Sequence, residues 1–179
     1  EIAVASTKAF RAQITSAYLL GLDLAQLRGN KYKDEIASIL AELQNMPAKI
    51  QKVIDNDTQV KELGVEMKDA SSVIFLGRHV GFPVAMEGAL KLKEITYIHA
   101  EGFAAGELKH GPIALIDEGQ PVIVVVPSAN GRDSLHGKVV SNIQEVRARG
   151  AFTIVIAEEG DEAVKPYADR LITVPACPS

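Results

Sequence analysis

Pro121-Val122-Ile123-Val124-Val125-Val126 is an unbroken apolar run, rich in β-branched residues and opened by a proline. A short run without polar alternation reads as a strand buried on both faces, the pattern of a parallel sheet. Ser72-Val73-Ile74-Phe75-Leu76, ending at Gly77, reads the same way, as does Phe152-Thr153-Ile154-Val155-Ile156. Leu171 to Val174 is a last strand, and Tyr97 to Phe103 is a further candidate. Helical patterns lie between them. One runs from Pro83 to Thr96, with its proline in the first turn. Another runs from Asp133 to Arg149 and is stopped by Gly150, and Val164 to Ala168 is a short helical piece. Ser128-Ala129-Asn130-Gly131 reads as a turn.

Strands alternating with helices imply right-handed crossovers and a sheet covered on both faces. The expected fold is α/β: a flavodoxin-like three-layer αβα sandwich with about five parallel strands. Ligands in such sheets bind beyond the carboxyl ends of the strands. Upstream, residues 1–70 read as a helical segment packing on the α/β core of 71–179. Ser6 or Thr7 caps a helix that runs to about Arg28, with Phe10, Ile14, Ala17, Tyr18, Leu22 and Ala25 as its apolar stripe. Gly29-Asn30 ends it. A second helix covers Lys33 to Asn45, Pro47 opens a third from Ala48 to Asp55, and a fourth covers Thr58 to Lys68 through Val60, Leu63 and Met67.

The 179 residues carry a formal net charge of -4, with 47% hydrophobic and 23% charged residues. That is ordinary for a globular domain able to bury a core without disulfides or metal. No long basic run suggests a nucleic-acid surface. No apolar run approaches the ~20 residues that span a bilayer. The single cysteine, Cys177, makes no internal disulfide and fits a reducing compartment, here the cytoplasm. The chain opens without Met and reads as an excised piece of a longer one.

Glu87, Lys91 and Glu94 share one helix face at i, i+4 and i+7. Val84, Ala85, Gly88, Leu92 and Ile95 are expected to pack that helix on the sheet. A carboxylate beside an ammonium in a partly dry setting suits proton transfer, with the cation steadying an enediolate. A solvated Glu–Lys–Glu ladder explains the same spacing, and on spacing alone it is the better reading. The following stretch, His99 to Pro112, gathers two His, two Glu and a Lys among Gly102, Gly106 and Gly111. It brings His110 to a ligand, or it is a polar loop with a capping histidine; the residues leave both open. Leu76-Gly77-Arg78-His79-Val80-Gly81 is not a dinucleotide fingerprint, and Ser6-Thr7 lacks a triad. Arg147 and Arg149 read as helix-dipole partners. His79 and His136 carry no usable signal.

Glu1-Ile2-Ala3-Val4-Ala5-Ser6-Thr7-Lys8, Phe75 to Arg78, Glu87 to Glu94 and Ile98 to Ala114 closely resemble the second sugar-isomerase (SIS) lobe of the glucosamine-6-phosphate synthase family. Asn142 to Gly150 is similar to that lobe's later helix. Ala3 departs from the family's glycine. The resemblance implies an enzyme, a glutamine–fructose-6-phosphate aminotransferase that also isomerises its product to glucosamine 6-phosphate. By position, it implies that Glu94 shuttles a proton between C1 and C2, assisted by Lys91, with Glu87 supporting the site. It implies that His110 promotes ring opening in a neighbouring subunit's site and that Ser6 lies near the sugar. No cofactor or metal is implied, and a homodimer through the SIS lobes is. The family's glutaminase domain, phosphate-holding first lobe and tail lysine lie outside this sequence, so the piece alone is expected to be inactive. Two rival readings are a regulatory SIS module that binds sugar phosphates and a fructosamine-phosphate deglycase or isomerase without a glutaminase.

Overall fold

A computed structural model describes residues 5–129 and 135–177. The Ala3 departure, the second half of the Ser128–Gly131 turn and the expected helix start at Asp133 fall outside the described residues. In chain order the elements are α1 (Thr7–Leu27), α2 (Lys33–Asp55), α3 (Thr58–Met67), β1 (Ser72–Gly77), α4 (Gly81–Thr96) and β2 (His99–Ala104). Two 3-10 segments, Ala105–His110 and Pro112–Leu115, lead to β3 (Pro121–Val125) and α5 (His136–Arg147). Then come β4 (Phe152–Glu158), a 3-10 turn at Lys165–Tyr167, and β5 (Arg170–Val174).

The five strands form one sheet in the order β2-β1-β3-β4-β5. All four ladders are parallel; Phe75, for example, faces Gly102 on one side and Ile123 on the other. Side chains alternate across the sheet, as the period of a strand requires. Val73, Phe75, Ile123 and Ile154 pack with Leu63 and Met67 of α3 and Ala85 and Ala89 of α4. Ile74, Leu76, Val122, Val124 and Val155 pack with Val139, Ile143 and Val146 of α5. With helices on both faces, every central strand is sealed from water, which is why the strand sequences carry no polar alternation. This is the three-layer α/β sandwich expected from the sequence.

The chain divides into two compact units, Glu1–Gln51 and Lys52–Ser179. By its packing, α3 belongs with the sheet.

Several local expectations change. α2 is one helix with Pro47 inside it, not two. Proline's fixed φ is helical, and its missing N–H removes one backbone bond without forcing a break. Of the α1 stripe only Leu22 is buried; Ile14 and Tyr18 are 48% and 51% exposed. Two helices alone offer too little apolar surface to enclose such a stripe. On α4, Ala85 and Ala89 face the sheet with Leu92 beside them, whereas Val84 and Ile95 are exposed. At 3.6 residues per turn, positions 84 and 95 fall outside the arc defined by 85, 89 and 92. Tyr97 takes the left-handed conformation (φ 62) that closes α4, so β2 starts only at His99. The polar stretch after β2 is 3-10 helix, not loop.

Candidate functional site

α4 leaves the carboxyl end of β1 and delivers the chain to the amino end of β2, so it runs antiparallel to both strands. Glu87 lies midway along it. Lys91 and Glu94 lie in its last turns, toward the amino ends of the strands and away from the carboxyl edge where a ligand was expected. The row faces away from Ala85 and Ala89, which hold the helix on the sheet.

Within the row, Lys91 Nζ lies 2.7 Å from Glu94 Oε2 and 3.5 Å from Glu87 Oε1. The side chains of Glu87, Lys91 and Glu94 are only 23%, 17% and 27% exposed, so this is a half-shielded cluster and not a solvated ladder. The hydrogen bond to Glu94 raises the Lys91 pKa above its ordinary value; burial opposes this, and the two negative charges reinforce it. Lys91 is therefore a fixed ammonium and a donor. Glu94 uses Oε2 for Lys91. A carboxylate held beside a permanent cation can take a carbon-bound proton while the cation stabilises the oxyanion that develops.

The other expected site residues lie elsewhere. His110 ends the 3-10 segment that follows β2, with its ring 61% exposed and Nε2 4.0 Å from Glu107 Oε2. It sits past the carboxyl end of β2, whereas Glu94 lies toward the opposite edge of the sheet, and the described residues show no contact between them. Ser6 is the half-buried N-cap residue of α1, in the other unit, and makes no side-chain capping bond.

Three polar contacts escaped the sequence reading. His136 Nε2 lies 2.6 Å from Asp161 Oδ2, with both side chains at least nine-tenths buried. Arg78 Nη1 donates to Asn142 Oδ1 at 3.3 Å. Arg147, expected to serve the α5 C-terminus, donates to Asp169 Oδ1 at 3.1 Å. The partners are 25, 64 and 22 residues apart, so no spacing rule links them. Among the described residues no group of three or more His, Cys, Asp or Glu could hold a metal ion, and no helix is long and apolar enough to cross a membrane.

Comparison with known proteins gives concordant results. The chain is 74% identical over 179 residues to the isomerising glutamine–fructose-6-phosphate aminotransferase of Corynebacterium glutamicum, covering all of this chain and 29% of that protein. It is 63% identical over 176 residues to the enzyme of the same name from Mycobacterium tuberculosis, covering 98% of this chain and 28% of that protein. The chain thus spans under a third of the length of these relatives. Among solved structures, the C-terminal domain of glucosamine-fructose-6-phosphate aminotransferase from Francisella tularensis superposes with a TM-score of 0.88 at 41% identity, over 98% of this chain and 49% of that one. The family model described as the SIS domain matches residues 66–179, which hold the whole sheet and the α4 row, and the chain belongs to the SIS domain family.

Proposed function

We propose that this chain is the second SIS lobe of an isomerising glutamine–fructose-6-phosphate aminotransferase, and that Glu94 is its proton-transfer base. The observation that carries the reading is the Lys91–Glu94 pair at 2.7 Å, half-shielded on α4, in a chain 74% identical to an enzyme of that name. Once ammonia has replaced the C2 oxygen of fructose 6-phosphate, the sugar carries a C2 imine beside a C1 hydroxymethyl group. Glu94 removes a proton from C1, and the electron pair moves to nitrogen to give an enolamine. The same carboxyl returns the proton to C2, the O1 proton passes to the nitrogen to leave a C1 aldehyde beside a C2 amine, and the carboxylate is restored. Lys91 holds Glu94 in place and steadies negative charge on the sugar oxygens; Glu87 fixes Lys91 from the other side. His110, exposed on its 3-10 segment, serves ring opening in the site of a neighbouring subunit, and Ser6 contacts the sugar. A homodimer through the SIS lobes follows from that role of His110.

Glu94→Gln in the full-length enzyme keeps the shape and removes the base. Synthesis of glucosamine 6-phosphate should fall by about 10²–10⁴, the usual worth of a positioned acid–base group. Glutamine hydrolysis, measured as glutamate release, should stay within a few-fold of wild type. Equal loss of both activities, or of neither, would overturn the assignment.

A further inference from the structure

The strand order β2-β1-β3 makes the carboxyl ends of β1 and β3 a topological switch point, the crevice where sheets of this class hold ligands. The Glu94 row runs away from that edge and leaves the crevice unexplained. Beside it, past the carboxyl ends of β1 and β2, lies a cavity of about 190 Å³, lined by Arg78 after β1, by Gly106 and Lys109 after β2, and by Lys138, Asn142 and Glu145 on α5. Three cations face one carboxylate. None of Arg78, Lys109 and Lys138 has an acidic partner within 4.0 Å among the described residues.

The arginine is fixed in advance. Arg78 Nη1 donates to Asn142 Oδ1 at 3.3 Å, and the Asn142 amide is set in turn by donating through Nδ2 to Glu145 Oε2 at 3.1 Å. Asn142 is only 7% exposed, so this support is built into the protein and not a surface contact. On the other side the guanidinium lies against Gly106, where a Cβ would stand 3.1 Å from Arg78 Nη2 and 3.2 Å from Cζ. A planar fork held from two sides binds carboxylate or phosphate oxygens in pairs, and two further exposed ammonium groups at the rim supply the extra positive charge that a phosphoryl dianion, and not a single carboxylate, would use.

We propose that this cavity is an anion site for a phosphoryl group, held by Arg78, Lys109 and Lys138 and positioned by Asn142 and Gly106. It is separate from the Glu87/Lys91/Glu94 row and does not depend on the sugar chemistry assigned to that row. The phosphoryl group comes either from free phosphate or from a sugar phosphate.

The test is a calorimetric titration of the full-length protein at constant ionic strength, with inorganic phosphate in one arm and fructose 6-phosphate in the other. Lys109→Gln/Lys138→Gln changes two exposed side chains and leaves the fold intact; Gly106→Val displaces the guanidinium without removing charge. Each should weaken binding of at least one of the two probes by about tenfold or more, the worth of a charge-assisted hydrogen bond. Weakening confined to the fructose 6-phosphate arm identifies a sugar phosphate as the occupant; weakening of inorganic phosphate identifies a free-phosphate site. Unchanged affinity for both probes in both variants, or no saturable binding of either probe to the wild type, refutes the site. Glu94→Gln, which tests the proton-transfer reading, should leave phosphate binding unchanged, so the two ideas fail separately.

Discussion

Thr153 is fully buried at the start of β4, and its backbone N–H and its hydroxyl both lie 2.8 Å from Asp169 Oδ2. Arg147 reaches the other oxygen from the end of α5. Burial alone pushes the Asp169 carboxyl up, but the backbone and hydroxyl bonds from Thr153, together with Arg147, outweigh it and hold the group below the usual aspartate range. A depressed carboxylate contributes stability that is present above its unfolded pKa and lost as pH falls through the folded one. Asp169→Asn should therefore cost about 1–3 kcal/mol in urea unfolding at pH 7. The gap between mutant and wild type should begin to narrow as pH falls below the ordinary aspartate value of about 3.9, where the unfolded chain takes up a proton that the folded one still refuses, and close further as pH falls through the lowered folded value. A gap that stays constant or widens in acid would contradict this account. Nothing in the sequence announced the cluster, because its three members come from the end of α5, the start of β4 and the link before β5. Glu94 and Lys91 were legible for the opposite reason: helical periodicity alone puts them on one face.

At the scale of the element, the β1–α4 junction controls where the Glu94 row sits. A Cβ on Gly77 would run into the carbonyl of Gly81 and stand 2.7 Å from Phe82 N, both of them backbone in the first turn of α4. Neither can swing aside as a side chain can. Gly77→Ala should therefore cost about 3 kcal/mol or more, read as a lower urea midpoint, because the helix start must move. A wild-type midpoint would show that the turn is not as tight as described. α4 itself was read almost to its ends from its pattern, yet its burial was misjudged at Val84 and Ile95. Apolar character at those positions reports that a residue is hydrophobic, not which way the helix is rolled. Pro47 makes the same point from the other side: a local rule predicts a break, and the remaining backbone bonds carry α2 across it.

At the scale of the whole molecule, the sheet unit has a closed core on each face, whereas α1 and α2 bury only Leu22 and Ile36 and leave Leu20, Leu24 and Leu27 at 60%, 49% and 76% exposure. The chain covers 29% of its Corynebacterium relative, and the sugar chemistry proposed for that whole needs groups beyond Glu94 and Lys91. Incubated alone with fructose 6-phosphate and ammonia, the 179-residue chain should form no glucosamine 6-phosphate above the uncatalysed background, followed by a colorimetric amino-sugar assay; sustained turnover would show that the Glu94 row is self-sufficient. The α/β class, the five strands and the shared face of Glu87, Lys91 and Glu94 were all determined by the sequence alone, because each rests on a short apolar run or on a helical period of 3.6 residues that neighbours in the chain express by themselves. The strand order, the descent of that row toward the amino edge of the sheet, and the meetings of Arg78 with Asn142, His136 with Asp161 and Thr153 with Asp169 were decided only by the tertiary structure. Those contacts depend on how crossovers fold back on one another, and no local periodicity encodes that.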